Sequence, residues 1–213
     1  MPPKSAEESK RRLVAAAIEV LRTDGIAAMS ARAISQRAGV AQGLVFYHFG
    51  SVTELIAQAC VTATQARVDL HREQFAEAAS FADLVALARE VQVAEREAGN
   101  VSILGQALAV AQTDAELAVA MRQALDLWRE PIVAVSSRLL GAGSPFSGLI
   151  DAETFADLLM AAFVGFELTD AVREDGVDDR SFEALEVVAA VLDGLGPVGR
   201  RALAATLRRR RTR

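Results

Sequence analysis

The residues best suited to chemistry in this sequence lie between Ser30 and Leu55. Two short helices are predicted there, one following Ser30 and one from about Ala41 to Tyr47, with Gly39 between them. Gly39 permits the positive φ that a sharp turn needs. With the long helix before them, these segments form a helix-turn-helix pattern, whose second short helix typically enters the major groove of DNA. The residues predicted to point outward from this unit or toward the start of the helix are Ala41, Gln42, Leu44, Tyr47 and His48.

Helical patterns account for the rest of the chain. Of its 213 residues 52% are hydrophobic and only 5% aromatic, and no proline occurs between Pro3 and Pro131. Because proline breaks helices, its absence permits long helices there, and few segments alternate as strands do. We predict an all-α fold of nine to ten helices, with a three-helix helix-turn-helix domain over residues 1–50 and a helical domain over residues 51–199. Residues 200–213 are a basic tail that we expect to be disordered.

Several helix boundaries are predicted from local signals. Ser80 and Asp151 each precede an apolar helical pattern, and Pro131 inside a long helix predicts a kink. The loop over residues 141–148 and the acidic linker over residues 174–179 separate later helices. Capping boxes, in which Ser or Thr precedes Glu by three residues, mark three more helix starts: Ser5 with Glu8, Ser51 with Glu54, and Thr113 with Glu116.

The charge is distributed unevenly along the chain. Residues 1–55 hold seven basic and five acidic residues, residues 56–199 hold nine and 23, and residues 200–213 hold seven basic residues and no acidic one. An acidic body with basic ends is compatible with nucleic-acid binding, because attraction to phosphate depends on the local surface rather than on the net charge.

Other classes of protein find little support in the sequence. Cys60 is the single cysteine, so it forms no intramolecular disulfide and fits a reducing, cytoplasmic compartment. With only two histidines, we expect no metal site and no cofactor. No Gly-rich phosphate loop or Gly-x-Ser-x-Gly motif indicates an enzyme. We find no secretory signal and no apolar run that approaches the ~20 residues of a membrane span.

Residues from about Arg12 to Leu55 resemble the DNA-binding domain of the tetracycline-repressor (TetR) family. The resemblance rests on the turn Ala38-Gly39-Val40, on the sequence Tyr47-His48-Phe49, and on the Ser51, Glu54 and Leu55 that follow. It implies an all-helical body, a homodimer and a double-stranded DNA operator as partner.

The resemblance also implies roles for single residues. It places Ser30 and Arg32 near a phosphate at the start of the second helix. On the recognition helix it places Gln42 against adenine and Leu44 against a thymine methyl group, while Gly43 lets the backbone approach closely.

At three positions the role is different or open. Phe46 stands where the family usually has Tyr, so the neighbouring Tyr47 would take over its phosphate contact. His48 is either a structural histidine or a phosphate ligand. Val52 replaces a Lys of the family, and we expect it in the core.

An N-terminal arm with Lys4, Lys10, Arg11 and Arg12 is predicted to contact the DNA backbone or minor groove.

The later helices supply candidates for a ligand pocket and a dimer interface. An apolar residue at helical spacing more often packs in the core than lines a ligand pocket. An effector bound there would be apolar or amphipathic. The pocket candidates are His71, Phe75, Phe81, Gln106, Met121, Trp128 and Phe163; the dimer candidates are Phe155, Leu159, Phe166, Leu185, Val188 and Leu192.

The function favoured by these features is transcriptional regulation. A homodimer would repress a promoter at a pseudo-palindromic operator, and an unknown small molecule would release it by binding better to a form with altered helix spacing. The alternatives are a ligand-independent DNA-binding or protein-interaction module and, less favoured, an enzyme. The Arg-rich tail could also contact DNA phosphates or pair with the acidic body.

Overall fold

The computed structural model describes residues 3–141, 144–170 and 180–211, and all regular structure in that part of the chain is helical. This confirms the predicted all-α fold. A short 3-10 turn, Ile26–Ala28, follows the first helix. The described residues form ten α-helices: α1 (Pro3–Asp24), α2 (Ala31–Ala38), α3 (Gly43–Phe49), α4 (Val52–Glu77), α5 (Phe81–Glu97), α6 (Asn100–Ala111), α7 (Ala115–Leu139), α8 (Ala152–Asp170), α9 (Arg180–Asp193) and α10 (Pro197–Arg211).

Backbone packing divides the chain into two compact units. Unit 1 consists of Met1–Asp69 and Glu95–Leu127, and unit 2 of Leu70–Ala94 and Trp128–Arg213. The helices α4 and α7 therefore each contribute their first part to unit 1 and their last part to unit 2. The helix-turn-helix domain of α1, α2 and α3, which we call the reader, thus shares a unit with α6 and the first half of α7.

The core of unit 1 is built from apolar residues at helical spacing. Leu13 and Ala17 on α1, Ile34 on α2, Val45 on α3 and Leu55 on α4 are completely buried. They belong to one cluster, so the three helices of the reader share a core with α4. Each fully buried Leu, Ile or Val side chain stabilises the fold by about 1.5–3 kcal/mol.

Unit 2 has a separate core. Phe75, Leu84, Leu87 and Val135 are buried in it. The start of α5 is tied to the end of α9, because the backbone N–H groups of Phe81 and Ala82 donate to the Asp193 carboxylate at 3.1 and 2.9 Å.

Capping was predicted correctly at some helix starts and wrongly at others. Ser51 does cap α4, since its Oγ accepts the N–H of Glu54 at 2.9 Å. The capping box at Ser5 is wrong, because α1 already begins at Pro3. The cap of α7 is Asp114, whose Oδ1 accepts the N–H of Leu117 at 3.0 Å, and not Thr113. The predicted kink at Pro131, which lies within α7, stays a prediction.

The basic C-terminal segment is helical. We expected residues 200–213 to be disordered, but α10 continues to Arg211. Its arginines Arg200, Arg201, Arg208 and Arg209 are exposed. The predicted acidic linker over residues 174–179 lies outside the described residues.

No single helix among the described residues is long and apolar enough to cross a membrane. Only α3 and α4 taken together reach that length and hydropathy, and they meet at a bend of 68°.

Candidate DNA-binding interface

The turn between α2 and α3 is closed by backbone hydrogen bonds around one glycine. Gly39 lies in the left-handed region with φ of 62°, and its N–H donates to Gln36 O. The N–H of Val40 donates to Ser35 O at 3.1 Å. This arrangement ends α2 sharply, as left-handed glycines do at helix C-termini, and directs the chain into α3.

Arg12 on α1 stabilises the same turn from behind. Its guanidinium donates to the carbonyl oxygens of Ala38 and Gly39, which are otherwise unpaired at the end of a helix. A Cβ at Gly39 would lie 2.8 Å from Arg12 Nη2, so a side chain there would collide with this contact. Arg12 therefore caps α2, and its contact with DNA stays a prediction.

The recognition helix α3 is anchored by its inner face. Val45 is completely buried, and Leu44 is half-buried against the same core. Leu44 thus packs partly on the core, and its contact with a thymine methyl group stays a prediction. The helix begins at Gly43, later than the predicted start at Ala41.

The outer face of α3 carries two exposed aromatic side chains. Phe46 is 51% and Tyr47 is 76% exposed. Ala41, Gln42 and Gly43 are also exposed at the start of the helix, and nothing lies within 4 Å of a Cβ built on Gly43. An amide, a phenol hydroxyl and an apolar ring thus share an open surface.

His48 is tied to α1 through a serine. Its Nε2 lies 2.7 Å from Ser9 Oγ, and Ser9 Oγ donates to Ala6 O at 2.8 Å. Because a serine hydroxyl has a single hydrogen, Nε2 must be the donor to Ser9. His48 therefore has a structural contact, and in this tautomer its Nδ1 is an acceptor and not a donor to a phosphate oxygen.

Ser30 and Arg32 remain suitable for phosphate contacts. Ser30 Oγ accepts the N–H of Ala33 at 3.1 Å as the cap of α2, and its own hydrogen can still be donated. Arg32 is exposed, and it has no ion-pair partner in the described part of the chain. By contrast, Arg37 is paired with Asp24 at 2.9 Å and with Glu19 at 3.1 Å.

The other residues of the predicted arm have partners or fall outside the description. Arg11 pairs with Glu8, and Lys10 Nζ lies 5.8 Å above the Phe49 ring. The side chain of Lys4 lies outside the described residues. Val52 packs against the core of unit 1, as expected.

The seven pocket candidates divide between the two units, with five in unit 2 and two in unit 1. In unit 2, His71, Phe75 and Trp128 are in ring contact, with centroids 6.1 and 6.3 Å from Trp128. Phe163 packs against that core, whereas Phe81 contacts Phe146 and Phe155 instead.

The two candidates in unit 1 have separate positions. Met121 is buried and lines a small cavity. Gln106 makes a structural hydrogen bond, because its Oε1 accepts the N–H of Ile26 at 2.9 Å.

The dimer candidates divide between inner and outer positions of unit 2. Leu159 packs on the core and Phe166 lies against Phe182, with ring centroids 6.4 Å apart. Phe155 meets Phe81 edge-on, and Leu192 is half-buried. The exposed apolar residues on α8 and α9 are Leu158, Leu168, Leu185, Val187, Val188 and Val191.

Sequence analysis missed several of these residues. Leu158, Val187 and Val191 were not selected, although Val187 and Val191 are four residues apart and share a helix face. The long-range contacts of Arg12 and Gln106 leave no signal in one sequence.

Comparison with known proteins agrees with this geometry. Residues 13–59 match the family model described as bacterial regulatory proteins, tetR family. That range contains Arg32, the turn at Gly39 and all of α3. No curated protein sequence matches the chain.

Solved structures share the fold over most of the chain. A Rhodococcus sp. protein described as a TetR-family transcriptional regulator is 17% identical with a TM-score of 0.69, covering 88% of this chain and 100% of that one. Salmonella enterica GusR is 18% identical with a TM-score of 0.66, covering 92% and 98%. The multidrug binding protein EbrR in complex with proflavin is 22% identical with a TM-score of 0.62, covering 85% and 99%. Residues 13–59 are thus similar to the bacterial regulatory proteins of the tetR family, and the chain as a whole shares the all-helical fold of these solved structures.

Proposed function

We propose that this chain represses transcription as a homodimer that binds a pseudo-palindromic operator and is released by a small molecule. The observation that carries the proposal is the open face of α3, on which Gln42, Phe46 and Tyr47 are exposed. Val45 anchors this helix to the core, since it is completely buried. A helix with an open polar and aromatic face can enter a major groove.

The residues of this face match the groups presented by DNA. The Gln42 amide can pair with both the N6 and the N7 of adenine, and the Phe46 ring can contact a thymine methyl group. The Tyr47 hydroxyl, the Ser30 hydroxyl and the Arg32 guanidinium suit phosphate oxygens, which position a protein on the duplex. We propose residues 1–50 as the DNA-binding domain on this basis.

Dimerisation is supported by the exposed apolar residues of unit 2. Leu158, Val187, Val188 and Val191 are each more than half exposed. Where exposed apolar side chains adjoin one another, they typically mark a protein interface, and Val187 and Val191 share one face of α9. Two readers held about 34 Å apart would bind successive major grooves and gain the base contacts that one reader lacks. Residues 51–199 would then be the regulatory and dimerisation domain.

Release by a small molecule is supported by the fold and by one relative. EbrR, a multidrug binding protein, has been solved with proflavin and with imidazole bound. Here the ring cluster of His71, Phe75 and Trp128 in unit 2 offers contacts for an apolar or amphipathic effector. A ligand that prefers a form with altered helix spacing would lower operator affinity by its difference in affinity. We place this activity in the cytoplasm, where DNA is available and Cys60 remains a free thiol.

The test is selection of bound duplexes from a random pool with the full chain. We expect an inverted repeat whose half-sites lie about one helical turn apart. Gln42→Ala should relax the preference at one position of each half-site, whereas Gln65→Ala on α4 should leave the selected sequence unchanged. A pool that shows no preferred sequence would contradict the proposal.

A second candidate is a DNA-binding protein without sequence preference. The exposed Arg200, Arg201, Arg208 and Arg209 of α10 favour it, because clustered arginines bind phosphate regardless of sequence. Competition with bulk DNA distinguishes the two. A non-specific binder loses most of its binding, and a regulator retains its site.

A further inference from the structure

The C-terminal helix α10 is a basic element in unit 2, separate from the reader. Pro197 is its first residue, and proline has a fixed φ that suits a helix start. The N–H of Arg200 then donates to Gly196 O at 3.0 Å. Arginines in the last turn stabilise the helix further, because they interact with the partial negative charge at its C-terminus. The basic segment therefore holds its arginines at helical spacing.

The two faces of α10 differ in exposure. Leu203 and Leu207 are four residues apart on one face, and both are half-buried. Arg201 and Arg208 are seven residues apart on another face, and both are exposed, with the small and exposed Ala205 between them. The apolar face is thus partly covered by the chain itself, whereas the arginine face is open.

The charge on this arginine face is not neutralised by neighbouring residues. Residues 194–213 contain seven arginines and no acidic residue. No described residue forms an ion pair with Arg201 or Arg208. The acidic residue that precedes the helix, Asp193, already accepts the N–H groups of Phe81 and Ala82 at 3.1 and 2.9 Å. Both guanidinium groups are therefore available to an anionic partner.

We propose that the arginine face of α10 is a second DNA-binding surface, which contacts duplex phosphates regardless of sequence. It acts in addition to the reader and does not replace it. A guanidinium group suits a phosphate, because its planar N–H groups can form two parallel hydrogen bonds to the oxygens. From Arg201 to Arg208 the helix rises about 10 Å, a length over which B-DNA carries about six phosphate charges.

Other anionic partners fit this face less well. A helix that lies in a membrane surface buries large apolar side chains opposite its basic residues, and in α10 these are the half-buried Leu203 and Leu207. Single-stranded nucleic acid is held by aromatic side chains on which its bases stack, and α10 contains none. A duplex requires only backbone contacts of the kind that arginine makes.

The test measures how salt weakens the binding of a duplex of arbitrary sequence to the full chain. The variant is Arg201→Gln with Arg208→Gln, which removes two charges and introduces good helix formers. Its matched control is Arg72→Gln with Arg122→Gln, two exposed arginines outside α10 and the reader. Circular dichroism should give both variants the helix content of the unaltered chain.

The expected result is a smaller salt dependence in the α10 variant alone. The slope of log K against log salt should lessen by about two units, since two phosphate contacts are lost. Between 50 and 200 mM salt the unaltered chain should therefore lose about tenfold more affinity than this variant does. Equal slopes for the unaltered chain and the α10 variant would overturn the inference.

A second variant separates charge from helix structure. Arg201→Lys with Arg208→Lys keeps both charges, so its slope should remain that of the unaltered chain. If the lysine and glutamine variants lost the same part of the slope, the arginines would act on the fold and not on phosphate. That outcome would overturn the inference.

Vesicles containing phosphatidylserine test the membrane alternative. We expect no competition by these vesicles when they are added to the chain bound to a duplex at equal phosphate concentration. If the glutamine variant lost its binding to the vesicles and kept its duplex binding, the face would be a membrane-binding surface, and the inference would be overturned.

Selection of duplexes from a random pool distinguishes this surface from the reader. The contribution of α10 to operator affinity rests on the proposed function, whereas its binding to an arbitrary duplex does not. The glutamine variant should select the same sequence with severalfold lower affinity, because phosphate contacts carry no sequence information. An inverted repeat with an unchanged salt slope would overturn the α10 surface alone. A reduced slope without any preferred sequence would overturn the proposed function and leave the surface intact.

Discussion

At the scale of single residues, Tyr47 combines exposure with a polar end. It is 76% exposed, so its ring contributes little to the core. We expect Tyr47→Ala to lower operator affinity about tenfold, since one charge-assisted hydrogen bond is lost, and to change the free energy of unfolding by less than about 0.5 kcal/mol.

The matched control for Tyr47 is Leu70→Ala on α4. Leu70 is 77% exposed but lies outside the reader. Fluorescence anisotropy with the selected duplex and urea unfolding measure the two effects. Equal operator affinity for both variants would contradict a DNA-contacting Tyr47.

His48 has a tautomer fixed by its neighbour. Since Ser9 Oγ donates to Ala6 O, the neutral imidazole should carry its proton on Nε2. Long-range ¹H–¹⁵N NMR should show this tautomer, and Ser9→Ala should allow Nδ1-protonated ring to appear. Finding Nδ1 protonated in the unaltered chain would contradict the hydrogen-bond assignment.

What could be predicted for single residues depended on how local the cause was. The exposure of Gln42 and Tyr47 follows from spacing within a short helix. The inward position of Leu44 depends on how α3 sits against the shared core, which spacing does not give. The bond from Ile26 to Gln106 joins residues 80 positions apart, so it required the tertiary structure.

At the scale of elements, the end of α2 depends on a side chain from α1. Arg12→Ala should destabilise the chain by about 1.5 kcal/mol, because two terminal carbonyl groups lose a charged donor. Arg11→Ala is the control, since its exposed pair with Glu8 contributes at most about 1 kcal/mol. Thermal and urea unfolding compare the two. Equal stability of both variants would show that Arg12 does not cap α2.

The start of α5 depends on a reciprocal cap. Asp83 Oδ2 accepts the N–H groups of Ala79 and Ser80, both at 2.9 Å, and Ser80 Oγ accepts the N–H of Asp83 at 3.0 Å. The bond from Ala79, followed by the bonds from Ser80, lowers the pKa of Asp83. The charged carboxylate is therefore favoured in the folded chain.

This cap gives a pH-dependent prediction. Asp83→Ala should cost about 1 kcal/mol at neutral pH. The folded pKa is depressed, so the difference from the unaltered chain should persist above about pH 4 and shrink as the pH falls through the folded value. Urea unfolding across this range measures it, with Asp126→Ala as an exposed control. A difference that stays constant down to pH 2 would contradict a charged cap.

The start of a helix was predictable where only one nearby residue could act as its N-terminal cap. Ser51 is such a case, and its bond to Glu54 N–H was predicted. At α7, Thr113 and Asp114 are adjacent and both can cap a helix. The Thr113 hydroxyl donates to Val110 O at the end of α6, and therefore Asp114 is the residue that caps α7.

At the scale of the whole molecule, dimerisation is the property that the exposed apolar residues predict. Val188→Glu should raise the dimer dissociation constant at least tenfold, because it buries a charge in an apolar interface. Operator affinity should fall with it. Val93→Glu on α5, at a residue that is 50% exposed, is the control. Sedimentation equilibrium that gives Val188→Glu the same mass as the unaltered chain would contradict this interface.

The fold class was predictable from composition and helical spacing, and the division into units was not. The sequence suggests a boundary near residue 50, where the reader ends. In the structure α6 and the first half of α7 share a unit with α1, α2 and α3. Their packing depends on contacts between distant segments, which local patterns do not report.

The bond between Gln106 and the Ile26 N–H affects how hybrid regulators can be built from this chain. A graft that transfers only the first 50 residues to a foreign body leaves that amide hydrogen without its acceptor. This hydrogen bond is preserved when the α6 segment is transferred as well, or when the recipient protein has a glutamine at the facing position. Chimeras made in this way should keep their specificity for the donor operator at temperatures where simple fusions lose it.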